Sequence, residues 1–166
     1  MENTFLTTLQ GSSFKDDILD VNGYAGELTV LMKPERVRGF LQFLKERYGY
    51  TYFGDLTASD HYTDEGRFEL AYHLVNLEEK QRIRVSCRLE EDNPTIESVK
   101  DLFPAATWLE REAFDMMGVK FEGHDDLRRM FLPEDFEWHP LRKEFPLLGI
   151  PGSIPLPEKN PPKGYN

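Results

Sequence analysis

Cysteine is nearly absent from this chain: Cys87 is the single one in 166 residues. It cannot close an internal disulfide, and alone it cannot supply the several thiolates that hold an iron–sulfur cluster. Long apolar runs are missing as well. Leu28-Thr29-Val30-Leu31-Met32 is the longest even with its threonine counted, far short of the roughly 20 residues a spanning helix needs. There is no glycine-rich loop of the dinucleotide or P-loop kind, so NAD or ATP binding by this chain has no motif behind it. An excess of base is absent too, since the net charge is −10. That argues against nucleic acid as a partner, because phosphate neutralisation needs a basic face. The opening Met1-Glu2-Asn3-Thr4 carries an acid where a signal or transit peptide carries a base, which predicts that the chain stays where it is made.

What is present is a folding composition, 39% hydrophobic and 30% charged, at a length that suits one domain. Residues 1–25 show no clear periodicity, although 14–19 could form a short helix. Residues 26–33 read as a strand, and Pro34 then opens a helix in which Val37, Phe40, Leu41, Leu44 and Tyr48 recur at helical spacing until Gly49 ends it. Further strands are predicted over 51–56, 68–77 and 82–89. In the last of these Ile83, Val85, Cys87 and Leu89 alternate with Arg82, Arg84, Ser86 and Arg88, the pattern of a sheet with one buried and one wet face. Residues 77–81 make the last two strands a hairpin, and Asn93-Pro94 precedes two helical stretches, 95–103 and 104–117. The fold class is α+β, a mostly antiparallel sheet with helices on one side, over residues 1–132.

From Pro133 the texture changes. Eight of the eleven prolines lie between there and the C-terminus, so residues 133–166 read as an extended proline-rich tail. It keeps Leu141, Phe145, Leu147, Leu148, Ile150, Ile154 and Leu156, more apolar side chains than a solvated linker carries. Either the tail wraps its own domain or it docks on another protein; the second reading is preferred.

Charge concentrates between residues 110 and 143. On the helix ending at Gly118, Ala105, Trp108, Leu109 and Met116 share one stripe and Glu112 falls inside it, with Arg111 and Asp115 an i, i+4 pair at its edge. Glu112 is therefore expected to be buried and paired with Arg128 or Arg129. Asp125 or Asp126 is read as capping a short helix over 127–129. His124, Asp125, Asp126 and His139 match no metal-ligand spacing. A carboxylate pair, Glu112 with Asp115 or Glu110, would be the basis of an independent hydrolase, a reading kept as an alternative.

Glu110-Arg111-Glu112, Asp115, Gly118, Phe121, Gly123-His124, Asp126-Leu127-Arg128-Arg129, Leu132-Pro133-Glu134-Asp135, His139-Pro140-Leu141-Arg142-Lys143 and Phe145-Pro146-Leu147 together resemble the 30 kDa subunit family of respiratory complex I, the C subunit of bacterial NADH:quinone oxidoreductase. Asp125 stands where that family usually has proline and Trp138 where it usually has glycine. The chain resembles the free-standing subunit rather than forms fused to the large one. The resemblance implies a subunit of the hydrophilic arm that binds no cofactor itself, with NADH, FMN, iron–sulfur clusters and quinone held by neighbouring subunits. It implies a place at the cytoplasmic face of the inner membrane, peripheral through the complex. The implied partners are the large quinone-site subunit and the iron–sulfur subunits near it. Glu110, Arg111, Glu112, Asp115, His124, Asp126, Arg128, Arg129, His139, Arg142, Lys143 and Phe145 are then motif positions with structural and partner-facing roles. A related membrane-bound hydrogenase or a ferredoxin-fed complex would use the same kind of subunit.

Overall fold

A computed structural model describes residues 13–62, 66–150 and 152. After a 3-10 turn at Lys15–Asp17 come strands β1 (Ile18–Tyr24) and β2 (Glu27–Met32), then helix α1 (Pro34–Tyr48). Strands β3 (Tyr52–Asp60), β4 (Phe68–Asn76) and β5 (Gln81–Leu89) follow as a meander. A short strand β6 (Thr95–Glu97), helix α2 (Ala106–Met117) and strand β7 (Lys120–Glu122) complete the regular elements.

The five long strands form one sheet in the order β1-β2-β5-β4-β3, antiparallel except for the parallel contact of β2 with β5. That one parallel pair arises because the chain leaves β2, crosses through α1 and the β3-β4 hairpin, and returns beside β2. As predicted, Ile83, Val85, Cys87 and Leu89 face the core; Val30, Met32, Phe68, Leu70, Tyr72 and Leu74 join them. A register shift between Phe53 and Asp55 lets both Phe53 and Leu56 face inward although they are three residues apart. Val37, Phe40, Leu41 and Leu44 of α1 cover this face, and Ala106, Ala113 and Met117 of α2 cover it beside β3. The opposite face is wet and charged, with Arg84 on Glu27 at 3.1 Å and Arg88 near Glu69 at 3.8 Å.

Both helices end as their glycines foretell. Gly49 and Gly118 adopt left-handed conformations with φ of 70° and 78°, and the Gly118 amide donates to the Phe114 carbonyl at 2.8 Å.

Three expectations need correction. Part of the region without periodicity is strand β1, an edge strand held by backbone pairing to β2 and mostly exposed, so it carries no alternation. Residues 95–103 are not a helix: Thr95 and Ile96 pair with Lys120 and Phe121 in a two-stranded parallel sheet, and only the turn closed by Phe103 N on Val99 O is helical. Residues 127–129 form no helix either. Past Pro133 the described chain has turns but neither helix nor strand. Ile154 and Leu156 lie outside the described residues. Among those described, no helix is long and apolar enough to cross a membrane.

Candidate interaction site at the second helix and the C-terminal segment

Helix α2 buries charge. Glu110 and Asp115 have no exposed surface and Arg111 is nearly as enclosed, whereas Glu112 lies in solvent. The expected burial of Glu112 against Arg128 or Arg129 is therefore wrong, and the expected stripe is displaced: its Leu109 and Met116 pack partly against the core, while its Ala105 and Trp108 do not. Trp108 is 59% exposed, and the inward side is Ala106, Glu110, Ala113 and Met117. Residues 128–132 run along a second flank of the helix and enclose Arg111 and Asp115 there.

Each buried charge is fully occupied. Glu110 accepts from Ser98 Oγ at 2.6 Å and from the Val99 amide at 2.7 Å, so it caps the turn that follows β6. Burial raises its pKa, and those two donors offset part of the rise. His124 sits beside it, 4.0 Å from the Glu110 carboxylate, with both ring nitrogens used. Nδ1 accepts from the Asp126 amide at 3.2 Å, which leaves Nε2 to donate to the Thr107 carbonyl at 3.1 Å.

Arg111 does not pair with Asp115 in the i, i+4 manner expected. Its Nε and Nη2 donate to the carbonyls of Arg128 and Arg129 at 3.2 and 3.1 Å, and its guanidinium lies over the Trp108 ring. Asp115 instead receives Arg129 at 2.8 Å on one oxygen. The other oxygen accepts the amides of Met130, Phe131 and Leu132 at 3.0, 2.7 and 3.1 Å. Burial pushes the Asp115 carboxyl up, but the Phe131 amide, Arg129 and the other two amides outweigh it and hold it below the usual value. Arg128 itself is exposed and meets Asp126 at 2.8 Å.

The C-terminal segment closes over the end of the helix. His139 Nδ1 donates to the Asp115 carbonyl at 3.0 Å, the Leu141 amide to Met116 at 3.1 Å and Arg142 Nε to Met117 at 2.7 Å. Three last-turn carbonyls that a helix leaves without partners are thus satisfied, with a cation at the negative end of the dipole. Burial lowers the pKa of His139; the bond to Asp115 works against this and the nearby Arg142 and Arg129 add to it. A Cβ on Gly118 would lie 2.6 Å from Arg142 Nη2 and His139 Nε2, so the seam closes only over glycine. Phe145 packs against Phe136, their ring centroids 6.3 Å apart.

A second cluster fixes the same segment to the sheet, and sequence reasoning missed it. Arg67 forks onto Asp60 through two 2.8 Å bonds, reaches Glu91 at 2.5 Å and also binds Glu144. Asp60 further accepts the Lys143 amide at 2.8 Å, from 83 residues away, and the Tyr62 amide at 2.8 Å. Arg67 chiefly, with those amides, holds the Asp60 carboxyl far below the ordinary range despite its burial. Nothing local to Asp60, Arg67 or Glu144 marks these partnerships in the sequence.

Among the described residues no three His, Cys, Asp or Glu side chains are grouped to hold a metal ion. The three carboxylates considered for hydrolysis do not converge. Glu110 and Asp115 turn to separate internal donors, and Glu112 stands in solvent.

The arrangement is a seam that locks α2, residues 124–132 and residues 139–145 together. Residues 30–150, from β2 through this seam, match the family described as the respiratory-chain NADH dehydrogenase, 30 Kd subunit. The chain belongs to that family. A fellow member of this 30 Kd subunit family, the C subunit of the NADH-quinone oxidoreductase of Geotalea uraniireducens (strain Rf4), is 38% identical over 151 residues, 91% of this chain and 88% of its own length. The solved structure of the trypsin-resistant fragment of Nqo5 superposes with a TM-score of 0.64 at 30% identity, covering 74% of this chain and 98% of the fragment. A chain of the membrane-bound sulfane sulfur reductase, an archaeal respiratory membrane complex, superposes with a TM-score of 0.74 at 29% identity over 89% of this chain and 86% of its own.

Proposed function

We propose that this chain is the C subunit of an NADH-quinone oxidoreductase of the complex I type, placed in the hydrophilic arm as a structural element. It takes part in electron transfer from NADH to quinone and in the coupled proton translocation as one piece of the assembly. NADH, FMN, iron–sulfur clusters and quinone belong to its neighbours, among them the large quinone-site subunit. It is held at the cytoplasmic face of the membrane through those neighbours.

One observation carries the reading. The buried charges of α2 are spent on positioning residues 124–145, and the chain leaves that seam with Leu147 and Leu148 wholly exposed. Two neighbouring leucines in water, held at a fixed exit point, are suited to a surface supplied by another subunit.

The test is recovery of the tagged chain from native membranes, in full length and truncated after Pro146. That cut keeps Arg142, Lys143 and Glu144 on their partners. The full-length chain is expected to bring down a complex that reduces quinone with NADH. The truncated chain is expected to fold with unchanged circular dichroism and to recover far less of it. Equal recovery would remove the proposed role of the tail. A recovered complex that accepts electrons from ferredoxin or hydrogen and not from NADH would favour the related assemblies, a reading the likeness to the sulfane sulfur reductase keeps in view.

A further inference from the structure

Helix α2 has a second stripe, at the edge of its buried face and opening outward. Trp108, Glu112 and Met116 follow one another at four-residue spacing; Trp108 and Glu112 are exposed, while Met116 and the neighbouring Leu109 pack partly against the core. Trp108 is 59% exposed, Leu109 and Met116 are half-buried, and Leu141, hydrogen-bonded through its amide to Met116, extends the stripe at 55% exposure. A slot of roughly 150 Å³ opens beside it, floored by Ala58, Ala113 and Met117 and edged by Asp55 and Glu112. Every other charge of the Glu110 to Asp115 run has a partner inside the protein; Glu112 makes no ion pair or hydrogen bond among the described residues.

A tryptophan, a methionine and a leucine around a single unpaired carboxylate have the composition of an interface centre. The charge is complementary to one kind of occupant. A guanidinium can fork onto Glu112, which an ammonium cannot do, while its plane lies against the exposed part of the Trp108 indole that the Arg111 guanidinium does not cover. We infer that this stripe is the docking site for a segment of a neighbouring subunit that carries an arginine flanked by apolar residues. The arginine meets Glu112 and an apolar side chain enters the slot beside Met116 and Leu141. The inference rests on the subunit role proposed above and names the surface through which α2 takes part in it. The site is distinct from the exposed Leu147 and Leu148, since Trp108, Glu112, Met116 and Leu141 all remain when the chain is cut after Pro146.

The experiment uses full-length tagged chain in native membranes, with Glu112→Lys, Glu112→Gln and Trp108→Ala variants and a photo-crosslinking benzoylphenylalanine placed at position 141, at the slot but leaving Glu112 intact. Glu112 is free and exposed, so Glu112→Lys is expected to leave the melting temperature of the isolated chain unchanged while lowering recovery of the complex by about tenfold or more, the scale of a central interface charge. Glu112→Gln should fall between it and wild type. The crosslinked peptide should come from another subunit and contain arginine beside apolar residues. Wild-type recovery by Glu112→Lys, or an adduct with lipid, with a second copy of this chain or with a peptide lacking arginine, would overturn the inference and leave the subunit role standing. If the unmodified chain recovers no complex at all, both fall.

Discussion

Replacing Asp115 with alanine should release the segment after Arg128 without unfolding the sheet. The carboxylate has no exposed surface and receives Arg129 together with three consecutive amides. Removing one partner of such a buried pair costs about 3–5 kcal/mol, since the arginine and the amides lose their acceptor together. The loss is capped by the free energy of letting residues 128–132 rehydrate, because the core of β4 and β5 does not depend on them. A loss of about 3 kcal/mol corresponds to roughly 100-fold more frequent opening, at 1.4 kcal/mol per factor of ten. Hydrogen exchange reads this directly: the amides of Met130, Phe131 and Leu132 should exchange on the order of 100-fold faster in the variant, with β4 and β5 unchanged. Trypsin should cut after Arg128 and Arg129 correspondingly faster, provided closing outpaces cleavage. Asp115→Asn, which keeps one acceptor oxygen, should be milder. Exchange at those three amides within about threefold of wild type would refute the view that Asp115 holds this segment.

Arg67→Met should cost about 3–5 kcal/mol in urea unfolding by stranding Asp60, and Arg67→Lys less, because an ammonium cannot occupy both oxygens. With the folded-state pKa of Asp60 lowered by Arg67, wild type should keep this contribution as pH falls to about 4 and lose it only below, whereas the stranded carboxyl of Arg67→Met takes up a proton at higher pH. The difference between the two should therefore narrow steadily as pH falls; a difference unchanged between about pH 7 and 3 would contradict the pairing. Glu110 has the opposite sign. Its pKa is raised in the folded state, so the folded form is favoured below the ordinary value near 4.3 and loses stability as pH rises through the raised one. Glu110→Gln still accepts from the Val99 amide and cannot ionise, so its stability should fall less than wild type between pH 5 and 8, and parallel profiles would contradict this.

The elements legible in the sequence were those whose burial has one cause. Helix α1 presents Val37, Phe40, Leu41 and Leu44 to the sheet and its other side to water, so its periodicity named its core residues. The β4-β5 hairpin was legible for the same reason, one face in and one face out. Helix α2 failed as a pattern because it is covered twice, by the core and by residues 128–132, and the second cover encloses Arg111 and Asp115. Apolar periodicity gives weight to apolar residues and therefore selects Trp108, which is exposed, and Met116, which packs only partly against the core. Strands β6 and β7 are three residues each, defined by pairing with one another rather than by composition. The motif positions are recognised without their contacts, and the Asp60-Arg67-Glu144 cluster is invisible because Asp60 and Arg67 meet only across the β3-β4 hairpin and Glu144 joins them only when the tail closes on the sheet.

An inverted helix of this kind is a poor choice for stability alone. Buried ion pairs are often no better than apolar residues of the same shape, since desolvation cancels most of their attraction. What they supply here is direction. Hydrogen bonds to Asp115, Met116, Met117 and Asp60 admit one path for residues 124–145, whereas an apolar contact of equal strength would tolerate sliding. A chain held on one path presents Leu141, Leu147 and Leu148 at set positions before any partner arrives, so less conformational entropy is lost when they are covered. The charges buried in α2 and the apolar side chains left outside it are two sides of one arrangement: polar contacts fix the geometry within the subunit, and under the proposed function the exposed apolar side chains are left for contact between subunits.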